Sequence, residues 1–298
     1  MKLIKKCSNS QVVICISKNE KYGISTYSKE LKKRIEKDNI SVAIKKFNLF
    51  EVVIYALRNP KKFMIFNSSG GICSLLFGKR SAYILHGFPN LSDYSFIKFI
   101  AIIFVTYISS KFSTHTIANS PLTYEINKKF YRIYSDEIWN PKSDAVMQKN
   151  TSPNIQRKPS LLFAGRYSQA KGITYISDYL YENYNKFSKI EFIGSGNISL
   201  LKSVVDLPNV QISDYIDRDL LKQRYNEFDM FISLNFFEPY GFVFEETIDS
   251  GLIVIMPKFT GISHYLQNNS KLVLVTSSQK KDIENAFNEA FNKLNKDA

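Results

Sequence analysis

Short apolar runs alternate with helical patterns along the whole chain. In the first half the runs QVVICIS (11–17), FMIFNSS (63–69), SAYILHG (81–87) and HTIANS (115–120) read as strands, being short, apolar and bounded by polar turns. Between the first two, ISTYSKELKKRIEK (24–37) spaces its apolar residues as one face of an amphipathic helix, and further helical segments separate the other runs. The second half repeats the style with SLLFAG (160–165), KIEFIG (189–194), NVQISDY (209–215), MFISL (230–234), LIVIM (252–256) and KLVLV (271–275). Continuously apolar strands spaced by helices predict parallel sheets covered on both faces. Two such halves predict an α/β protein of two doubly wound, Rossmann-like domains facing a cleft, the default place for a ligand.

The polar stretch QKNTSPNIQRKPS has two prolines and no periodicity, and predicts a linker over 148–159. The domains are then 1–147 and 160–298. A chain of 298 residues, 44% hydrophobic, supplies a core for each. FIKFIAIIFVTYI (96–108) is apolar nearly all round and too short to span a bilayer. It reads as a buried helix of the first domain, with a helix dipping into a membrane interface as the alternative. MKLIKKC opens basic, but the run after it is short and β-branched, so it predicts a first buried strand rather than a secretory leader.

Charge adds a further distinction. Up to Met147 there are 23 Lys+Arg against 10 Asp+Glu, and from Gln148 onward 17 against 17, so the whole net charge of +13 sits in the first half. The excess fits a solvated lysine face or a surface that meets anionic phospholipid. Lysine outnumbers arginine and no aromatic-basic motif stands out, which argues against nucleic acid. Three cysteines, Cys7, Cys15 and Cys73, make no disulfide framework and no metal-ligand pair, and point to a reducing, cytoplasmic compartment.

The candidate chemistry lies at the carboxyl ends of the second-half strands, where open α/β sheets bind ligands. Arg166 leaves the strand at 160–165, and Lys171 stands just before a helix opened by Gly172. Two cations at such a turn suit a diphosphate, although a solvated basic pair is the commoner case. FIGSGN (192–197) reads as a Gly-x-Gly turn that lacks the third glycine of a dinucleotide fingerprint. In NFFEPYGFVFEETIDSG, Glu238 is predicted on a loop, and a helix begins near Gly241. The backbone N–H groups of Gly241, Phe242 and Val243 would face a phosphate there. Glu246, inside that helix, could accept both hydroxyls of a ribose, or be a surface helix residue. Asp217 and Asp219 of DRD match a metal-binding D-x-D pattern, but open a helical segment and read as capping.

Taken together, these segments resemble the retaining glycosyltransferases of family four (glycosyl transferases group one). EPYGFVFEETIDSGLIVI resembles the family's E-x7-E signature, and LLFAGRYSQAKG its G-R-x-x-x-x-K-G segment. FIGSGN, YGISTYSKEL, TIANS and IWNPKSD resemble further segments, in the family's order over nearly the whole chain. The resemblance implies the glycosyltransferase B fold and transfer of a sugar from a nucleotide-sugar donor to a glycan or lipid-linked acceptor, as in bacterial-type surface polysaccharide synthesis. It implies that Arg166, Lys171 and the Gly241–Val243 amides hold the donor diphosphate, that Glu246 binds the nucleotide ribose and that Glu238 holds the donor sugar. Gly23 would let a first-domain loop approach the phosphates, and His86 would touch the sugar, its alternative being a satisfied histidine at a strand end. No metal and no other cofactor is implied. The chain departs from the family at Tyr22 and Ile253, which replace a glycine and a proline, and in the few residues after KLVLV. A non-catalytic sugar-nucleotide-binding scaffold at the membrane and a nucleotide-sugar epimerase of the same fold are the competing readings. The expected location is cytoplasmic, peripheral on the inner face of the plasma membrane.

Overall fold

The computed structural model describes residues 2–7, 11–18, 23–77, 80–89, 95–140 and 157–296. The chain divides into two compact units, Met1–Lys142 and Ser143–Ala298. Most of the expected linker over 148–159 lies outside the described residues, as does Tyr22.

The first unit runs α1 (Lys2–Cys7), β1 (Val12–Ser17), α2 (Gly23–Glu36), β2 (Val42–Phe47), α3 (Leu49–Arg58), β3 (Phe63–Asn67), α4 (Ser74–Phe77), β4 (Ser81–Leu85), α5 (Phe96–Phe112), β5 (His115–Ala118), α6 (Pro121–Tyr131) and β6 (Glu137–Ile138). Its strands form one sheet in the order β2-β1-β3-β4-β5-β6, every pairing parallel. The order reverses between β1 and β3. β1, β3, β4 and β5 are buried along nearly their whole length, as the apolar runs require. β2 was not foreseen. It is the edge strand, only Val42 is fully buried, and Lys45 and Lys46 break its apolar pattern. α1 was missed too. Its buried Leu3 and Cys7 stand one turn apart, and the Lys2 amide donates to Glu137 Oε2 at 3.0 Å, a carboxylate at a helix start.

α5 corrects the expectation of a buried helix. Its buried residues are Thr106 and Ser109, whereas Phe96, Ile97, Ile100 and Phe104 are exposed, Ile97 at 82%. The reason is close packing through small residues. A Cβ at Gly71 would stand 2.5 Å from Ser109 Oγ and 2.4 Å from the Tyr83 ring, so the helix lies tight against this turn. The large apolar side chains are left on the far side.

The second unit runs β7 (Ser160–Tyr167), α7 (Ile173–Asn183), β8 (Lys189–Gly196), β9 (Val210–Asp214), α8 (Arg218–Arg224), β10 (Met230–Ile232), α9 (Phe242–Asp249), β11 (Ile253–Pro257), α10 (Ser263–Leu266), β12 (Leu272–Val275) and α11 (Lys280–Lys296). The sheet order is β12-β11-β10-β7-β8-β9, again parallel throughout, with the reversal between β7 and β10. Alternate residues of each strand feed two cores. Phe163, Phe192, Ile232 and Ile255 meet α7 and α11 on one face, and Leu162, Phe231 and Val254 meet Phe244 and Ile248 of α9 on the other. α11 buries Ile283, Ala286, Phe287 and Ala290 in this unit.

FIGSGN is not a turn. β8 continues to Gly196, and Gly194 and Gly196 pair with Gly165 and Tyr167 of β7. A Cβ at Gly194 would fall 1.8 Å from the Gly165 carbonyl oxygen, so glycine there serves the close approach of two strands. β8 also carries Glu191, which is fully buried and gripped by Arg224 (Nη1–Oε1 2.8 Å, Nη2–Oε2 2.9 Å), Lys189 (2.8 Å) and Ser213 Oγ (2.8 Å).

Candidate active site

Lys171 follows β7 and Glu238 follows β10, the two neighbours at which the second strand order reverses. Their loops therefore diverge from a common point, where ligands of open α/β sheets bind. Gly172 brings them together. It has φ +69°, and a Cβ on it would stand 2.5 Å from Leu234 Cβ and 2.7 Å from the Leu234 carbonyl oxygen. The turn after β7 thus lies flush against the chain leaving β10. Lys171 Nζ donates to Glu238 Oε2 at 2.7 Å, and Asn235 Nδ2 donates to the same oxygen at 2.8 Å. Burial would raise the Glu238 carboxyl, but Lys171, Asn235 and the Tyr240 amide outweigh it and hold the group below its ordinary value. Glu238 is an anion at neutral pH.

Gly241 begins α9 with φ +98°, and a Cβ there would press within 2.7 Å of the Phe244 ring and 3.3 Å of Glu238 Cγ. The amides of Phe242 and Val243 open the helix and have no helical acceptor ahead of them. The predicted Lys171, Glu238 and α9 amides are therefore gathered in one place. Arg166 is exposed near the end of β7.

Glu246, 2% exposed on α9, is not a surface helix residue. Its Oε1 accepts from Arg218 Nε at 2.6 Å and from an Arg218 Nη, and its Oε2 accepts from Tyr225 Oη at 3.1 Å. Burial and the Glu246 charge push the Tyr225 hydroxyl well up, so it stays a donor. The Arg218 guanidinium also lies over the Phe242 ring at 5.4 Å. Sequence reasoning missed Arg218 because it stands inside DRD, between two acids that suggest capping. Asp217 does take the N-cap position, without a side-chain capping bond, and Asp219 lies in the first turn. Asn235 and Tyr225 carried no motif signal.

The first unit holds the other candidates. Gly23 opens α2, exposed, and a Cβ there would meet nothing within 4 Å. His86 directly follows β4. Its Nε2 meets Asn67 Oδ1, and Asn67 Nδ2 donates to the Cys15 carbonyl at 3.0 Å, so Nε2 carries the hydrogen. Tyr27 packs edge-on against the imidazole at 4.8 Å. Desolvation pushes His86 down to about 3, so the ring is neutral at physiological pH. The structure places it as a satisfied histidine at a strand end, held by Asn67 at the end of β3. Cys7, Cys15 and Cys73 are free and buried.

Two Rossmann-like units, each a parallel sheet with one reversal of strand order, fit the glycosyltransferase B fold, and solved structures agree. The chain is similar to sucrose-phosphate synthase from Thermosynechococcus elongatus with a TM-score of 0.77 at 13% identity, over 97% of this chain and 92% of that one. It is similar to WaaG, a glycosyltransferase involved in lipopolysaccharide biosynthesis, with a TM-score of 0.68 at 12% identity, over 96% and 94%. The catalytic domain of starch synthase IV from Arabidopsis thaliana gives 0.69 at 11%, over 96% and 92%. No curated protein matches by sequence. Residues 158–297 match the family described as glycosyl transferases group 1. Among the described residues no helix is long and apolar enough to cross a membrane.

Proposed function

We propose that the protein is a retaining, metal-independent glycosyltransferase of the hexosyl type. It moves a sugar from a nucleotide-sugar donor to a glycan or glycolipid acceptor in surface polysaccharide synthesis. The observation that carries the reading is the Lys171–Glu238–Asn235 cluster at the strand reversal, followed on the same segment by the α9 amides and Glu246. The related starch synthase domain is a complex with ADP and acarbose, which supports a nucleotide diphosphate as the leaving group.

In this reading the anomeric C–O bond breaks and its electron pair leaves with the diphosphate. Arg166, Lys171 and the amides of Gly241, Phe242 and Val243 take up the developing charge. Glu238 holds donor-sugar hydroxyls, Glu246 accepts from the ribose, and Gly23 and the neutral His86 serve the first-unit side. The acceptor hydroxyl attacks on the face the diphosphate leaves, and its proton passes to the departing phosphate oxygen. Nucleoside diphosphates and their sugar conjugates are expected to raise the melting temperature for one base only, since a bound ligand stabilises by mass action. The shift should vanish in Arg166→Ala, Lys171→Ala and Glu246→Gln. No shift with any nucleotide would overturn the reading in favour of the scaffold.

The reading includes peripheral attachment to an anionic leaflet, supported by the basic first half and by the exposed α5 face with Lys98 and Lys111 on the same helix. Co-flotation with phosphatidylglycerol vesicles is expected, and should fail for Ile100→Asp/Phe104→Asp. Equal flotation of this variant would remove α5 from the attachment.

A further inference from the structure

The first unit has a second concave site, at the same carboxyl edge of its sheet as Asn67 and His86. An open groove of about 610 Å³ runs along the ends of β1 and β2 and the flank of α3, lined by Lys18, Lys45, Lys46, Phe47, Tyr55 and Arg58 among others. Among the described residues its acid is Glu51, against four cations. Glu51 is itself committed, accepting from Lys18 Nζ at 2.5 Å and from the Asn48 amide at 3.1 Å. Lys45 Nζ lies 4.5 Å above the Tyr55 ring, and Lys62 Nζ reaches the Tyr55 hydroxyl at 3.1 Å from the other end. Tyr55 on the groove wall thus holds one ammonium group over its ring and another at its hydroxyl.

A smaller cavity of about 50 Å³ adjoins it, lined by Cys15, Ser17, Asn48, Asn67 and Gly70. Phe47 lines both. The cavity sits where the first strand order reverses, between the ends of β1 and β3. Asn67 on its wall is the residue that holds His86. A ligand in the basic groove would therefore lie one small cavity away from the neutral imidazole. A merely solvated lysine face needs neither the concavity nor this continuity.

We propose that the groove binds a phosphate-bearing acceptor, its phosphate held by Lys45, Lys46 and Arg58 and its reacting end directed toward Asn67 and His86. Naming the phosphate as the acceptor's rests on the glycosyltransferase reading, but the binding itself does not. Phosphate on a cluster of ammonium and guanidinium groups gains charge-assisted hydrogen bonds, and salt should weaken it. The three cations are exposed, so their removal leaves the fold intact.

The test is calorimetric titration of the whole chain with inorganic pyrophosphate, geranyl diphosphate and geraniol, repeated on Lys45→Ala/Lys46→Ala/Arg58→Ala. The expected result is binding of a diphosphate probe that the triple variant weakens by about tenfold or more, the loss of at least one charged contact. Geraniol should not bind. Geranyl diphosphate binding more tightly than pyrophosphate would identify a lipid-linked source, and equal binding would identify the phosphate group alone. Unchanged binding in the triple variant, or no binding to the wild type, would overturn the proposal. Failure here is separable from failure of the glycosyltransferase reading, because the triple variant keeps Arg166, Lys171 and Glu246 and should retain its nucleotide-induced melting shift.

Discussion

Glu238→Gln is expected to lower sugar transfer by about 10²–10³-fold, the usual effect of removing one preorganised electrostatic group. The amide keeps the shape of the carboxylate and can still accept from Lys171 and Asn235, so the loop should remain in place. The negative charge is lost. In the proposed reading, Lys171, balanced in the wild type, would then meet the diphosphate with no anion beside it, and the donor-sugar hydroxyls would lose their strongest acceptor. Release of nucleoside diphosphate from the donor, with and without acceptor, is the measurement. A loss in turnover with an unchanged melting temperature supports a role in the chemistry. Wild-type transfer by this variant would remove Glu238 from the site and favour a binding scaffold.

Glu191→Ala is expected to cost about 3 kcal/mol of stability, the lower range for breaking a buried ion pair, because Arg224 keeps its contacts to Glu227. Burial alone would raise the Glu191 carboxyl. Arg224, Lys189 and Ser213 overcome it and hold the group at about 2. A depressed folded-state value means that the stabilisation is full above the ordinary carboxylate range and is lost as pH falls toward about 2. The stability gap between wild type and variant should therefore be widest near neutrality and shrink in acid. Urea denaturation at several pH values reads both. A gap that stays constant into acid would show that Glu191 stabilises by packing alone.

The strands of the second unit were legible because β7, β8, β10 and β11 are covered on both faces and leave unbroken apolar runs. β2 was not legible, because an edge strand needs to bury only one residue in six here, and its lysines follow solvent rather than the sheet. α5 misled for the opposite reason. Apolar periodicity reports what a helix offers, while the depth of Gly71 and Ser109 decides which side is taken. At the site, Lys171 and Glu238 were foreseen from the turns that carry them. Their direct pairing depends on Gly172 fitting against Leu234, a contact between segments far apart in sequence. Arg218 was hidden by the same effect, since its partner Glu246 lies a strand and a loop away. Motif reading finds residues that act through local backbone, and misses those whose partner is supplied by the fold.

α5 has a practical consequence. A helix that turns phenylalanine and isoleucine outward leaves a greasy face exposed among the described residues, and such faces associate in dilute buffer. The purified protein should therefore behave as a weak amphiphile, with an apparent size in light scattering that grows with concentration and falls when a mild detergent is added.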